Sequence, residues 1–193
     1  MNLLTLERAA NLSIAKSNLP SPSEVVEALL AAEKAARKET THHSLSQLLG
    51  TWKLRFITGT KKTRQKAGVV LGAGRYIPQF IEIEITYNGL EKLPDRGRVE
   101  NSVKLGFLHL TLTGPVKFLP QKNILAFDFT KMTVRVAGLK LYDGYIRNGK
   151  QSEQEFFAKK IGEQAFFAYF VLEENFIAAR GKGGGLALWS RDN

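Results

Sequence analysis

The sequence predicts a mainly β protein, an antiparallel barrel or sandwich with α-helices packed on it from the N-terminal side. Three observations predict this. From Gly50 to Trp189 the chain breaks into short runs of period-two alternation, punctuated by Gly, Pro, Asn and Asp. Most of these runs follow one another with no helical pattern between them, which argues against a parallel α/β sheet. Residues 1–43 instead carry the 3.6-residue apolar spacing of helices. The chain therefore divides into an N-terminal helical segment, 1–43, and a β region, 44–193.

The elements follow in order. A first helix is expected over residues 3–16. Ser21-Pro22-Ser23-Glu24 is a capping box: Ser21 caps, Pro22 takes the first helical position and Glu24 reaches back. In the helix that follows, Val25, Val26, Leu29 and Leu30 form an apolar stripe, and Glu33, Lys34, Arg37 and Lys38 face water. WKLRFIT, FIEIEITY, RVENSVKL, FLHLTLT, ILAFDFT, MTVRV, QAFFAYFVL, NFIAAR and GLALWS then read as strands.

Two strands are apolar on both faces. ILAFDF sets Leu125, Phe127 and Phe129 opposite Ile124 and Ala126. AFFAYFVL sets Phe167, Tyr169 and Val171 opposite Phe166, Phe170 and Leu172. A strand with one wet face alternates cleanly. Doubly apolar strands imply an outer face covered by the helices and an apolar interior, either packed solid or holding an apolar ligand.

The 193 residues suit one domain with a helical appendage. There is no cysteine, which excludes disulfides, thiolate nucleophiles and thiolate metal sites. The net charge of +10 favours an anionic partner, nucleic acid or a membrane surface. No stretch approaches 18 uncharged apolar residues, and Glu7 and Arg8 interrupt the place of a signal-peptide core.

Motifs for catalysis are absent. His42 and His43 are adjacent and point apart, and His109 lies in an alternating strand, so no metal set forms. Glu82 and Glu84 alternate with Ile81, Ile83 and Ile85 as the solvated side of a strand. LGAGRYIP lacks the third glycine of a dinucleotide loop: Ile77 stands there, before Pro78 and a strand. RGKGGG lacks the spacing and the Ser/Thr of a P-loop and reads as a hairpin turn. The basic cluster KKTRQK has no interleaved aromatics, so nucleic acid is not the expected partner. No enzyme activity and no cofactor is expected.

Two stretches carry a family resemblance. Leu48-Leu49-Gly50-Thr51-Trp52 opens the first strand with Gly-x-Trp, which resembles the lipocalin opening, where a Trp closes the base of a cup-shaped barrel. LEENFIAARGKGGGLALWSR resembles the C-terminal signature of the plastid lipid-associated proteins, also called the fibrillins of plastids and cyanobacteria. GRVENSVKL and LTGPVKFLP resemble that family's middle segments. The resemblance covers residues 44–191. Phe176-Ile177-Ala178 departs from the Leu-Arg-Ile common in the family, and without a transit peptide the chain resembles a cyanobacterial member.

The resemblance implies a lipocalin-like barrel without catalysis. It implies binding of a lipid, carotenoid or prenylquinone at thylakoid or lipid-globule surfaces, with the protein peripheral on the cytoplasmic side. Lumen residues are expected to follow Trp52 at period two, Leu54 and Phe56, joined by Leu110, Leu112, Phe127, Phe129, Phe167 and Tyr169. Arg180 is expected to lie across Trp52 as a latch, with Arg191 the rival; Gly50 and Gly181 are expected structural glycines. The connection after the first strand would cover the barrel mouth, with Lys61, Lys62, Arg64 and Lys66 on an anionic membrane and the glycines of GAGRY as a hinge. The alternative is a packed barrel that recruits a protein partner to the membrane.

Overall fold

The computed structural model describes residues 3–11, 13–39, 41–59 and 74–191. The helices are α1 (Leu3–Ala10) and α2 (Pro22–Ala36). The strands β1 (Gly50–Ile57), β2 (Arg75–Tyr76), β3 (Ile81–Leu90), β4 (Leu93–Leu105), β5 (Leu108–Leu119), β6 (Ile124–Phe127), β7 (Lys131–Val136) and β8 (Leu139–Tyr145) follow. A short helix α3 (Gly149–Glu155) precedes β9 (Ala165–Leu172), β10 (Phe176–Gly181) and β11 (Leu186–Arg191).

The capping box of α2 forms as expected: Ser21 Oγ accepts from the Glu24 amide, and the Glu24 carboxylate accepts from the Ser21 amide at 2.7 Å. The first helix is shorter than expected. Asn11 Oδ1 accepts from the Ser13 amide at 2.8 Å, a local turn that competes with helix continuation. The sequence reading missed β8 because its hairpin turn is Ala137-Gly138, both at positive φ (50° and 82°), without the Asn-Gly or Asp-Gly that marks such turns. It also missed the two-residue β2 and the seven-residue α3.

Eight antiparallel strands close into a barrel in the order β1-β11-β10-β9-β6-β5-β4-β3, with β3 returning to β1. The sheet forks on β5. Leu119 to Val116 pair with β6, whereas Thr113 to Leu108 pair with β7, which carries β8 as an outer ribbon. Gly114 stands at the fork. A Cβ there would overlap the Asp128 carbonyl, so only glycine lets the chain leaving β6 cross so closely.

Two apolar clusters build the core. The inner one fills the barrel base and includes Leu45, Leu48, Trp52, Ile85, Tyr87, Val99, Leu125, Ile177 and Trp189. The outer one lies between the helices and the sheet. There Leu6, Val25 and Leu29 meet Phe56, Val171, Phe176, Ala178, Leu186 and Leu188. The helices thus cover the outer faces of β9, β10 and β11, which is why AFFAYFVL is apolar on both sides. Over β5 and β6 the cover is the segment after α3, whose Phe156, Phe157 and Lys159 carbonyls accept from Lys117 Nζ.

The latch over Trp52 is Arg191 and not Arg180. The Arg191 guanidinium sits 4.0 Å from the ring centroid of Trp52. It also donates to the Glu174 carbonyl at 2.6 Å and the Leu49 carbonyl at 3.1 Å. Trp52 Nε1 donates to the Leu48 carbonyl at 2.7 Å. Register explains the correction: Arg191 is directly opposite Trp52, while Arg180 is opposite Leu186 at the other end of the barrel. Gly50, at φ 104°, leaves room for the latch, since a Cβ there would stand 3.0 Å from Arg191 Nη1. Gly181 has ordinary space around it and a φ open to any residue.

Arg180 instead faces α2. Its Nε and Nη2 donate to the two Glu33 oxygens at 2.7 and 2.6 Å, a bidentate pair that ties helix to barrel. The sequence reading had left Glu33 to solvent; its carboxylate is mostly covered. The hydrogen bond from Arg180, then the charges of Arg180 and Arg37, hold the Glu33 carboxyl below its ordinary 4.5 against an opposing burial effect.

Two outcomes follow. Arg191→Ala should lower the urea-unfolding free energy by about 2 kcal/mol or more, with Arg191→Lys recovering only part because it lacks the planar fork. For Glu33 the folded value lies below the unfolded one, so its stabilisation is complete above about pH 4.5 and drains away as pH falls through the folded value. Glu33→Gln should therefore flatten the decline of Tm below that pH; an unchanged acid limb would remove the pair from the account.

Candidate functional site

The candidate site is the barrel interior above its packed base, together with the sheet face that continues from it. Antiparallel partners share a face, so the register defines horizontal rows on the inner wall. Tyr87 and Val99 belong to the base. Above them run Ile85, Asn101, Leu112 and Met132, and then Ile83, Val103, Leu110, Val134 and Tyr142. The top row is Ile81, Leu105, Leu108, Val136 and Leu139. Five strands thus present one surface that is apolar apart from Asn101.

Water access rises along this wall. Ile85 is buried, and Ile83, Val103, Leu110, Leu112, Met132 and Val134 are half-buried. In the top row Leu105 is 45% and Leu139 71% exposed. Beside that row Phe107 is 81%, Leu141 66% and Phe80 71% exposed. Most of the exposed large hydrophobics of the described residues are gathered on this rim. The β4–β5 and β7–β8 turns are joined by the Ala137 amide, which donates to the Phe107 carbonyl at 2.9 Å. Lys104, Arg135 and Lys140 alternate with the rim residues along the strands.

The opposite wall is aromatic. Phe167 stacks on Phe127 with centroids 4.9 Å apart and meets Trp189 edge-on at 5.4 Å; Phe127 touches Phe129 at 5.3 Å. Phe129, Phe167, Leu54 and Ile57 are only partly buried against the inner cluster. Below them the hydroxyls of Tyr87 and Tyr169 bond to each other at 2.8 Å in full burial. Burial raises both phenols above their ordinary range, so the pair stays neutral.

Most of the lumen residues expected from the sequence come together here. Trp52 and Tyr169 lie in the packed base, Leu54, Phe127, Phe129 and Phe167 on the aromatic side, and Leu110 and Leu112 on the apolar wall. Phe56 does not join them. A β-bulge after Leu54 places two residues of β1 against one of β11, and Phe56 turns outward into the seam with the helices. Lys61, Lys62, Arg64 and Lys66 lie outside the described residues. The hinge expected at GAGRY ends in a close-packed point: a Cβ on Gly74 (φ 77°) would overlap the Phe56 ring, and Arg75 and Tyr76 pair with β1. Sequence reasoning missed Trp189, Val134, Tyr142 and the rim residues Phe107, Leu139 and Leu141; LKLY was the signal for three of them, and the others stand in the strand runs GLALWS, MTVRV and FLHLTLT.

The carboxylates of β3 are on the outer face. Glu82 accepts from Lys104 and lies 3.6 Å from Lys53, and the Lys104 hydrogen bond, with both charges, holds it below the ordinary carboxylate range. Glu84 accepts from Ser102. Among the described residues no group of three His, Asp or Glu side chains could hold a metal ion, and no helix is long and apolar enough to cross a membrane.

No family model matches the chain, and no curated protein sequence matches it.

The tyrosine pair tests the packing of the base. Tyr87→Phe or Tyr169→Phe alone should cost about 1–3 kcal/mol in denaturant unfolding, because the remaining hydroxyl is buried unpaired, and the double variant should cost less than the sum. Additive losses would mean that the two hydroxyls do not depend on each other.

Proposed function

We propose that this protein is a noncatalytic lipophile-binding protein that docks on an anionic membrane or lipid-globule surface. One observation carries the reading: apart from Asn101 the inner wall is apolar from base to rim, and its exposure increases toward an apolar edge outside the barrel. A barrel closed only to hold its own shape would bury Leu54, Phe129 and Phe167 as fully as Trp52. An apolar ligand seated above Trp52 and Tyr169 would complete that burial. The aromatic side suits a conjugated or prenyl chain by edge and face contact.

The rim supplies the docking surface. Phe107, Leu139 and Leu141 would enter the headgroup region, with Arg135 and Lys140 toward anionic lipid, each basic group near the surface contributing about 1 kcal/mol. The excess of 28 Lys and Arg over 18 Asp and Glu favours the same partner. The resemblance of residues 44–191 to the plastid lipid-associated proteins directs this reading to photosynthetic membranes, with a carotenoid or prenylquinone as cargo.

The test uses a neutral fluorescent polyene alcohol, competed with a carotenoid and a prenylquinone. Saturable, competable binding near one per chain is expected, weakened by Leu112→Glu. A folded protein that does not bind saturably would support the alternative, a packed scaffold recruiting a protein partner. For docking, co-sedimentation with phosphatidylcholine–phosphatidylglycerol vesicles should fall about tenfold in the Phe107→Ser, Leu139→Ser double variant. Undiminished co-sedimentation would move the docking surface elsewhere.

A further inference from the structure

A cavity lies outside the barrel. It has a volume of about 540 Å³ and runs between the α1–α2 connection and the β2–β3 connection. Its walls are mainly apolar, with Ile14 and Leu19 on one side and Ile77, Pro78 and Phe80 on the other. Tyr76 pins the two connections together by donating its hydroxyl proton to the Pro20 carbonyl at 2.9 Å. The size is that of a small-molecule site.

One cation faces this cavity from β1. Arg55 is the extra residue of the β-bulge, so the same irregularity that turns Phe56 toward the helices sends Arg55 into the groove. Its Nε is buried with no hydrogen-bond partner, and no carboxylate pairs with it among the described residues. Glu24, whose charge reaches the neighbouring Tyr76, is spent on the Ser21 amide and hydroxyl in the cap of α2. Burial lowers the Arg55 pKa from its ordinary 12.5, with Tyr76 a smaller, opposing influence. A half-buried guanidinium left without an anion costs free energy, and an incoming carboxylate or phosphate would recover it through two parallel hydrogen bonds.

We propose that this groove binds a single-chain amphiphile with a carboxylate or phosphate head, its anion on Arg55 and its tail along Leu19, Ile77 and Phe80. Phe80 directly precedes Ile81 of the top row, so the mouth of the groove opens beside the apolar rim, where amphiphiles of a lipid surface would enter. This is a site distinct from the barrel interior, and it stands whether or not the interior holds a ligand.

Calorimetric titration of the full chain with dodecanoate, dodecyl phosphate, dodecanol and inorganic phosphate tests it, all below micelle-forming concentrations. Both anionic amphiphiles should saturate one site about tenfold more tightly than dodecanol, and inorganic phosphate should bind far more weakly than either. Arg55→Gln should remove that preference and leave dodecanol binding unchanged. Phe80→Asp, at a 71% exposed position, should weaken both anionic probes about tenfold with the melting temperature unchanged. Equal binding of dodecanol and dodecanoate would overturn the proposal, as would a full anion preference surviving in Arg55→Gln. Inorganic phosphate matching dodecyl phosphate would overturn it too, by leaving an anion site with no use for a tail. The barrel test uses a neutral probe, so failure of one site is distinguishable from failure of the other.

Discussion

Everything above the base of this barrel depends on the stack of Arg191 on Trp52. Trp52 is on the first strand of the barrel and Arg191 on the last, and the two strands are neighbours only because the sheet closes. The guanidinium covers the ring, bonds the carbonyl before Gly50 and reaches the turn between β9 and β10 through Glu174. One side chain thus connects the chain's entry into the sheet with its exit. Trp52 in turn closes the bottom of the lumen and hands its indole proton to Leu48, so the short turn at 45–48 becomes a plug.

The inner cluster holds Tyr87, Tyr169, Val99 and Ile177 with Trp52 and Trp189. Toward the other end the strands outrun the barrel. β5 exchanges one partner for another at Gly114, and the ribbon of β7 and β8 continues the inner face into solvent. The apolar rows do not stop where the barrel does. That continuity connects a lumen with a surface, and the lipophile reading rests on it.

Local irregularity decides chemistry on β1. Strict alternation from Trp52 would have sent Phe56 inward and left Arg55 on an outer face between two apolar neighbours. One bulged residue instead turns Phe56 to a helix contact and delivers the Arg55 guanidinium, with no carboxylate partner among the described residues, to an apolar groove. Such a shift leaves no trace in the apolar–polar pattern, because Leu54, Phe56 and Ile57 are apolar whichever way each points. The misplacement of the latch has a related origin. Arg180 and Arg191 both stand at or next to the end of a strand, and only the pairing register says which one stands opposite Trp52.

The sequence by itself determined the class of the protein: helices before strands, antiparallel order, the capping box of α2, an outer face covered by helices and an apolar interior. These follow from side-chain periodicity and backbone preference, which are local. It also marked Trp52, Leu110, Leu112, Phe127, Phe129, Phe167 and Tyr169, because large apolar residues in strands have few places to go. Only the tertiary structure decided that Glu33 leaves water to hold Arg180, that β8 extends the wall, and that Arg55 faces a cavity. Each of these depends on which residues meet across the folded sheet, and strand register and bulges set those meetings through the packing of the whole barrel.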